Sequence, residues 1–224
     1  MPKILPLFDG HRFLLLFLFL LATLIAYPYA ENSRFGYFAF RALGTMVIAL
    51  SVYVLSFRRV LAVVAFFLAI PALVQHLLHP DLAGFLPVLN LLLSFAFDLW
   101  IVVAIFHRVF AKALITSETI FGALCIYLLN GVSFASIYGL VSDLQPKAFF
   151  LDPASNTHTV LTRFDFIYYS FGMMTQLGAA GITAVTDQAR SLSVIEAILG
   201  QLYLAVLISR LVGAYRMRGA AADS

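Results

Sequence analysis

Six apolar runs, each close to the twenty or so residues a helix needs to cross a bilayer, limit this chain to very few folds. They fall at Phe13–Tyr27, Tyr37–Phe57, Val60–Leu78, Phe85–Phe106, Ile120–Val141 and Ala189–Tyr215. A further stretch, Phe164–Thr175, is only half a span long and leads into Gln176-Leu177-Gly178-Ala179-Ala180-Gly181. Non-helical backbone at bilayer depth is tolerated only where protein buries it or a wet cavity meets it. The expectation is an all-α integral membrane protein with six transmembrane helices and a re-entrant helix and loop before the last one. Composition points the same way. Only 11% of residues are charged and 62% are hydrophobic, whereas soluble domains carry about 25% charged residues.

Basic residues give the orientation, because cytoplasmic loops collect Lys and Arg. With the N-terminus inside, Lys3, Arg12, Arg58, Arg59, Arg108, Lys112, Arg210, Arg216 and Arg218 are cytoplasmic, and Arg34, Arg41, Lys147, Arg163 and Arg190 are outside or at the outer interface. Both termini are then cytoplasmic. Glu31, Asp81, Asp143, Asp152, Asp165 and Asp187 lie on or near the outer face, where acids raise the local cation concentration or form a solvated rim. The first run follows Lys3, His11 and Arg12 as a signal peptide would. Its apolar core, however, continues to Tyr29 with no small-x-small cleavage site before Glu31, so it is expected to be retained. Loops are short except Ser142–Arg163, which contains Pro146, Pro153 and Asn156 and reads as an outer turret leading into the half-helix. The chain divides into a four-helix part, 1–112, a helix–loop–helix part, 113–218, and a short cytoplasmic tail, 219–224, with no room for a cytoplasmic regulatory domain.

The residues from Tyr169-Ser170-Phe171 through Thr175, Leu177-Gly178, Ile182-Thr183 and Ala189-Arg190-Ser191-Leu192 to Glu196-Ala197-Ile198-Leu199-Gly200-Gln201-Leu202-Tyr203-Leu204-Ala205-Val206 resemble the pore loop and inner helix of prokaryotic tetrameric potassium channels. The likeness is strongest in the inner helix, and the first four helices share only number and placement with that family. It implies a homotetramer in the plasma membrane, a prokaryotic inner membrane, because one pore loop cannot encircle an ion path and four related by cyclic symmetry can. The implied surroundings are the lipid bilayer, with a permeant monovalent cation, no cofactor and no nucleic-acid partner.

The family's filter reads Thr-Val-Gly-Tyr-Gly-Asp, and its backbone carbonyls replace the hydration shell of the ion. Here Thr175 matches the Thr that ends the pore helix. Gln176 stands for the filter Thr, Leu177 for Val, Gly178 for Gly, Ala179 for Tyr, Ala180 for the second Gly and Gly181 for Asp. Gln176 is expected to narrow the inner end of the filter with four amides. Ala179 removes the ring that braces the filter, and Gly181 removes a carboxylate behind it. If Ala180 must adopt the second glycine's positive φ, the strain is about 1 kcal/mol or more per subunit. The expected function is a potassium-channel-like pore, weakly selective among cations. The alternative is a non-conducting membrane subunit or sensor of channel ancestry.

Charges within spans are functional candidates by default. Asp98 lies inside the fourth run, with Arg58, Arg59 or Arg108 as partners by topology. Glu196, Tyr203 and Arg210 recur every seven residues and share one stripe of the last helix. Glu196 either supports the filter from behind or faces the cavity. Gly200 is either a hinge or a point of close helix packing. Tyr203, Leu207 and Arg210 are expected nearest the cytoplasmic constriction. Voltage sensing is not expected, since no span carries Arg at three-residue spacing. An enzymatic reading lacks support: the five His residues are scattered, and His76 and His79, one turn apart, have no third metal ligand. Cys125, lying mid-span, is expected to act as a small buried apolar residue. Pro71 is expected to kink the third helix, and Pro87 to mark the start of the fourth.

Overall fold

The computed structural model describes residues 11–30, 34–78, 85–111 and 115–222. Lys3, Glu31, His79, Asp81 and Lys112 lie outside the described residues. The elements run α1 (Arg12–Ala30), α2 (Arg34–Val54), a 3₁₀ turn (Leu55–Phe57), α3 (Arg59–Leu78), α4 (Phe85–Phe110), α5 (Ser117–Leu144), β1 (Phe149–Leu151), α6 (Arg163–Met174), β2 (Ile182–Ala184) and α7 (Asp187–Ala222).

The chain is mostly helical, and four helical segments are long and apolar enough to cross a membrane: Arg12–Tyr29, Leu92–Phe110, Ser117–Leu144 and Asp187–Gly213. The other two expected runs appear as shorter apolar segments, Phe38–Val54 and Arg59–Leu73. The helices that contain them, α2 and α3, run 21 and 20 residues, about 30 Å each. Pro71 lies inside α3, while Pro87 falls in the first turn of α4, where a missing N–H costs little.

Two compact units divide the chain, Met1–Leu129 and Asn130–Ser224, with the division inside α5. In the first, α1 packs on α2, α2 on α3 and α3 on α4. Its buried residues include Leu16, Leu20, Val54, Leu55, Ile101 and Ile105. The start of α5 is anchored here too. Glu118 Oε2 accepts the Phe13 amide at 3.2 Å, and the buried Cys125 thiol donates to the Phe13 carbonyl at 3.4 Å. Cys125 therefore serves as a core residue that also closes a polar contact.

The second unit has an aromatic centre. Tyr138, Phe149, Phe166 and Tyr169 meet edge to face at centroid distances of 5.1 to 5.5 Å, an arrangement in which ring edges meet ring faces favourably. Strands β1 and β2 pair antiparallel, with Phe149 opposite Ala184, Phe150 opposite Thr183 and Leu151 opposite Ile182. This pairing ties the stretch before α6 to the stretch after the Gln176–Gly181 loop, so both ends of that loop are held.

Candidate functional site

The half-helix α6 starts on a capping box. Thr162 Oγ1 accepts the Asp165 amide at 3.3 Å, and Asp165 Oδ2 accepts the Thr162 amide at 2.7 Å. The Asp165 carboxylate is buried and also meets the Thr162 hydroxyl at 2.9 Å and His158 Nε2 at 2.8 Å. Orphan N–H groups of the first turn are thereby satisfied, and the negative charge complements the helix dipole. Thr162→Ala should destabilise α6 by about 1 kcal/mol. The check is faster hydrogen exchange confined to the Phe164–Phe166 amides, with α7 amides unchanged.

After twelve residues, about 18 Å, α6 stops. The Thr175 amide and hydroxyl both donate to the Phe171 carbonyl, at 3.0 and 2.6 Å. Gln176 then turns left-handed, at φ 62°, and its amide donates to the Met173 carbonyl. Gly178 and Gly181 are also left-handed, at φ 74° and 82°. Among the described non-glycine residues only Lys147 and Gln176 have positive φ, so the strain expected at Ala180 does not arise there. It falls on Gln176, at about 1 kcal/mol. The Gln176 side chain also departs from expectation: its Nε2 donates to the Ala197 carbonyl of α7 at 3.2 Å, tying the loop to the helix behind it.

The rest of the loop is folded back on itself. The Gly178 amide donates to the Gly172 carbonyl at 3.1 Å, and the Ile182 amide to the Ala179 carbonyl at 3.1 Å. Gly181 offers its carbonyl to the Asp152 amide at 2.8 Å and to Asn156 Nδ2 at 3.1 Å. A Cβ on Gly181 would stand 2.6 Å from that Asn156 nitrogen. The turret thus occupies the space in which a side chain at position 181 would begin. Asp152 holds the turret turn by accepting the Ala154 amide and the Ser155 hydroxyl, which keep its pKa below the ordinary carboxylate range. Leu177 is 86% exposed and Thr175 to Gly178 are all exposed in the single chain, with Ala179 half-buried and Ala180 exposed.

Behind the loop lies a buried polar cluster. Glu196, 1% exposed, receives the Tyr138 hydroxyl on Oε2 and has Oε1 against Ser170 Oγ, both at 2.5 Å. Ser170 Oγ also lies 2.7 Å from the Gly131 carbonyl. A single carboxyl therefore joins α5, α6 and α7. Beside it Ser193 donates to the Ala189 carbonyl, which leaves the Tyr169 hydroxyl as donor to Ser193 Oγ at 2.7 Å. At Gly200 a Cβ would stand 3.0 Å from both the Cα and the carbonyl oxygen of Met174, so this glycine lets α7 approach the end of α6 backbone to backbone.

Glu196 and Gly200 are buried, and Tyr203, Leu207 and Arg210 are half-buried along the same stripe. Val194, Ile198, Leu202, Val206 and Ile208 are more exposed. Within the single chain this stripe is the more covered side of α7. Asp98 forms no ion pair with Arg58, Arg59 or Arg108 among the described residues. Helix geometry explains this, since Arg108 is ten residues further along α4, about 15 Å. The contacts made by Ser170, Tyr138, Asn156 and Gly172 have no signal in the sequence. Only the Thr162-x-x-Asp165 cap carried a readable local pattern.

Comparison with known proteins returns nothing: no protein-family model, curated protein or solved structure matches the chain. Among the described residues no group of three His, Cys, Asp or Glu side chains is placed to hold a metal ion.

Proposed function

We propose that this chain is one subunit of a four-fold symmetric cation pore of weak selectivity. In this reading six helices cross a prokaryotic inner membrane, both termini are cytoplasmic, and α6 with its loop enters from the outer side. One observation carries it: a capped twelve-residue helix ends in exposed irregular backbone and is held by buried polar bonds to two long apolar helices. Such backbone at membrane depth has a use beside a wet path and little use elsewhere. Selectivity for potassium is not proposed. A potassium cage needs successive free carbonyls facing one axis, and here the Ala179 and Gly181 carbonyls are already engaged within the chain.

Planar-bilayer recording of the purified protein in asymmetric potassium chloride, followed by sodium replacement, tests this. The expected result is a cation-directed reversal potential that barely moves on replacement. A strong potassium preference would overturn the reading of the loop. The second reading, a non-conducting subunit or sensor, is favoured by the Gly178–Gly172 hydrogen bond that folds the loop onto its own helix. Silence of the native chain, with current recovered on placing Thr-Val-Gly-Tyr-Gly-Asp at 176–181, would select it.

A further inference from the structure

Unit Met1–Leu129 contains a cavity of about 700 Å³ between the start of α3 and the end of α4. Leu61, Val103 and Trp100 form its apolar wall, and Arg58, His107 and Arg108 line its basic side. The Trp100 indole N–H donates to the Leu61 carbonyl at 3.3 Å, which fixes the ring against α3. Two further contacts gather cations at the same end. The Arg108 guanidinium lies 5.6 Å over the Phe13 ring, and Arg12 lies 4.7 Å over Tyr53 while donating to Ser56 Oγ.

Part of the Arg108 charge is offset by Glu118, which acts on it electrostatically. Among the described residues of the unit the carboxylates are Asp98, about 15 Å up α4 from Arg108, and Glu118, which accepts the Phe13 amide. The volume suits a small-molecule site, for which about 300–1,000 Å³ is usual. A cationic rim continuous with an apolar wall, on helices of a membrane protein, complements a ligand with a phosphate at one end and hydrocarbon at the other. A free phosphate would leave the apolar wall unused.

We propose that this cavity binds an anionic phospholipid, with the phosphate against Arg58, His107 and Arg108 and an acyl chain along Leu61, Val103 and Trp100. This assignment does not depend on whether the chain conducts.

Trp100 is the chain's only tryptophan, so its fluorescence reports occupancy directly. The full chain is reconstituted in phosphatidylcholine vesicles containing a fixed fraction of lipid with brominated acyl chains, either phosphatidylglycerol or phosphatidylcholine. Brominated phosphatidylglycerol is expected to quench Trp100 at several-fold lower mole fraction. Arg58→Gln should reduce that preference about fivefold, the effect of one basic residue near an anionic surface. Arg59→Gln, next along the chain and outside the cavity lining, should leave it intact. Arg108→Gln should act like Arg58→Gln, and if it fails to fold, the exposed Arg58 decides alone. Equal quenching by the two lipids overturns the proposal, as does an equal loss in the Arg58 and Arg59 variants. Relief of quenching by inorganic phosphate assigns the site to a free anion and overturns it too.

Discussion

Glu196→Ala is expected to lower the stability of the Asn130–Ser224 unit by about 3 kcal/mol, while Glu196→Gln stays within about 1 kcal/mol of the native chain. The number of protons available in the cluster sets this difference. Tyr138 donates to Oε2, and Ser170 has one hydroxyl proton but two oxygens in reach, Glu196 Oε1 at 2.5 Å and the Gly131 carbonyl at 2.7 Å. A neutral carboxyl satisfies every atom: it donates to Ser170, which donates to Gly131. Glutamine reproduces that pattern, with its amide N–H donating to Ser170 and its carbonyl accepting Tyr138. Alanine instead leaves the Tyr138 hydroxyl without its acceptor beside a cavity, while Ser170 keeps the Gly131 carbonyl. Hydrogen bonds between membrane helices average only about 0.6 kcal/mol, but an orphaned buried hydroxyl costs about 1–3 kcal/mol and the emptied space adds to it, so the orphan and the cavity set the size of the effect. Reversible unfolding in mixed micelles, followed by Tyr and backbone signals from the purified protein, checks it. A glutamine variant as unstable as the alanine one would show that an ionised carboxylate is required, and the neutral network would then be wrong.

That cluster marks how far the sequence could be read. The apolar runs were legible because a bilayer demands a long, nearly uncharged segment, and four of them appear as helices of spanning length. The half-helix was legible as an apolar run too short to cross, and its start carries a local pattern in Thr162 and Asp165. Glu196 was legible as a candidate because charge inside a span is rare, but its surroundings were not. Tyr138 and Ser170 lie 58 and 26 residues away in sequence, and no period or motif links them. The loop differs for another reason. Aligning it with a potassium filter assigned the strain to Ala180, whereas local hydrogen bonding at the end of α6 puts the left-handed residue at Gln176. Likewise, nothing in the sequence indicated that Asn156 would fill the space beside Gly181, because β1–β2 pairing, a long-range contact, delivers the turret there.

Gly172→Ala is the second large effect, and it acts on the loop rather than on the scaffold. A Cβ at Gly172 would stand 2.6 Å from the Gly178 carbonyl oxygen and 2.9 Å from its carbon. Both are backbone atoms, so no side chain can rotate aside. Helix α6 cannot yield easily, being fixed by its cap, by Ser170 and by Met174 against Gly200. The loop must therefore move, breaking the hydrogen bond from the Gly178 amide to the Gly172 carbonyl. Overpacking of this kind costs about 1–3 kcal/mol, whereas the gain in helix propensity from Gly to Ala is at most about 1 kcal/mol. The clash therefore wins locally. The expected result is rapid hydrogen exchange at Gly178 with protected α5 and α7 amides. If the loop lines a pore, the sodium-to-potassium permeability ratio should also shift in the same variant. Unchanged exchange at Gly178 would mean that the loop does not rest on Gly172. Faster exchange with unaltered permeation would separate this loop from the ion path and favour the non-conducting reading. Gly200→Ala makes the comparison sharp: its Cβ meets Met174 at 3.0 Å, so it should shift α7 against α6 while leaving the Gly178 bond in place.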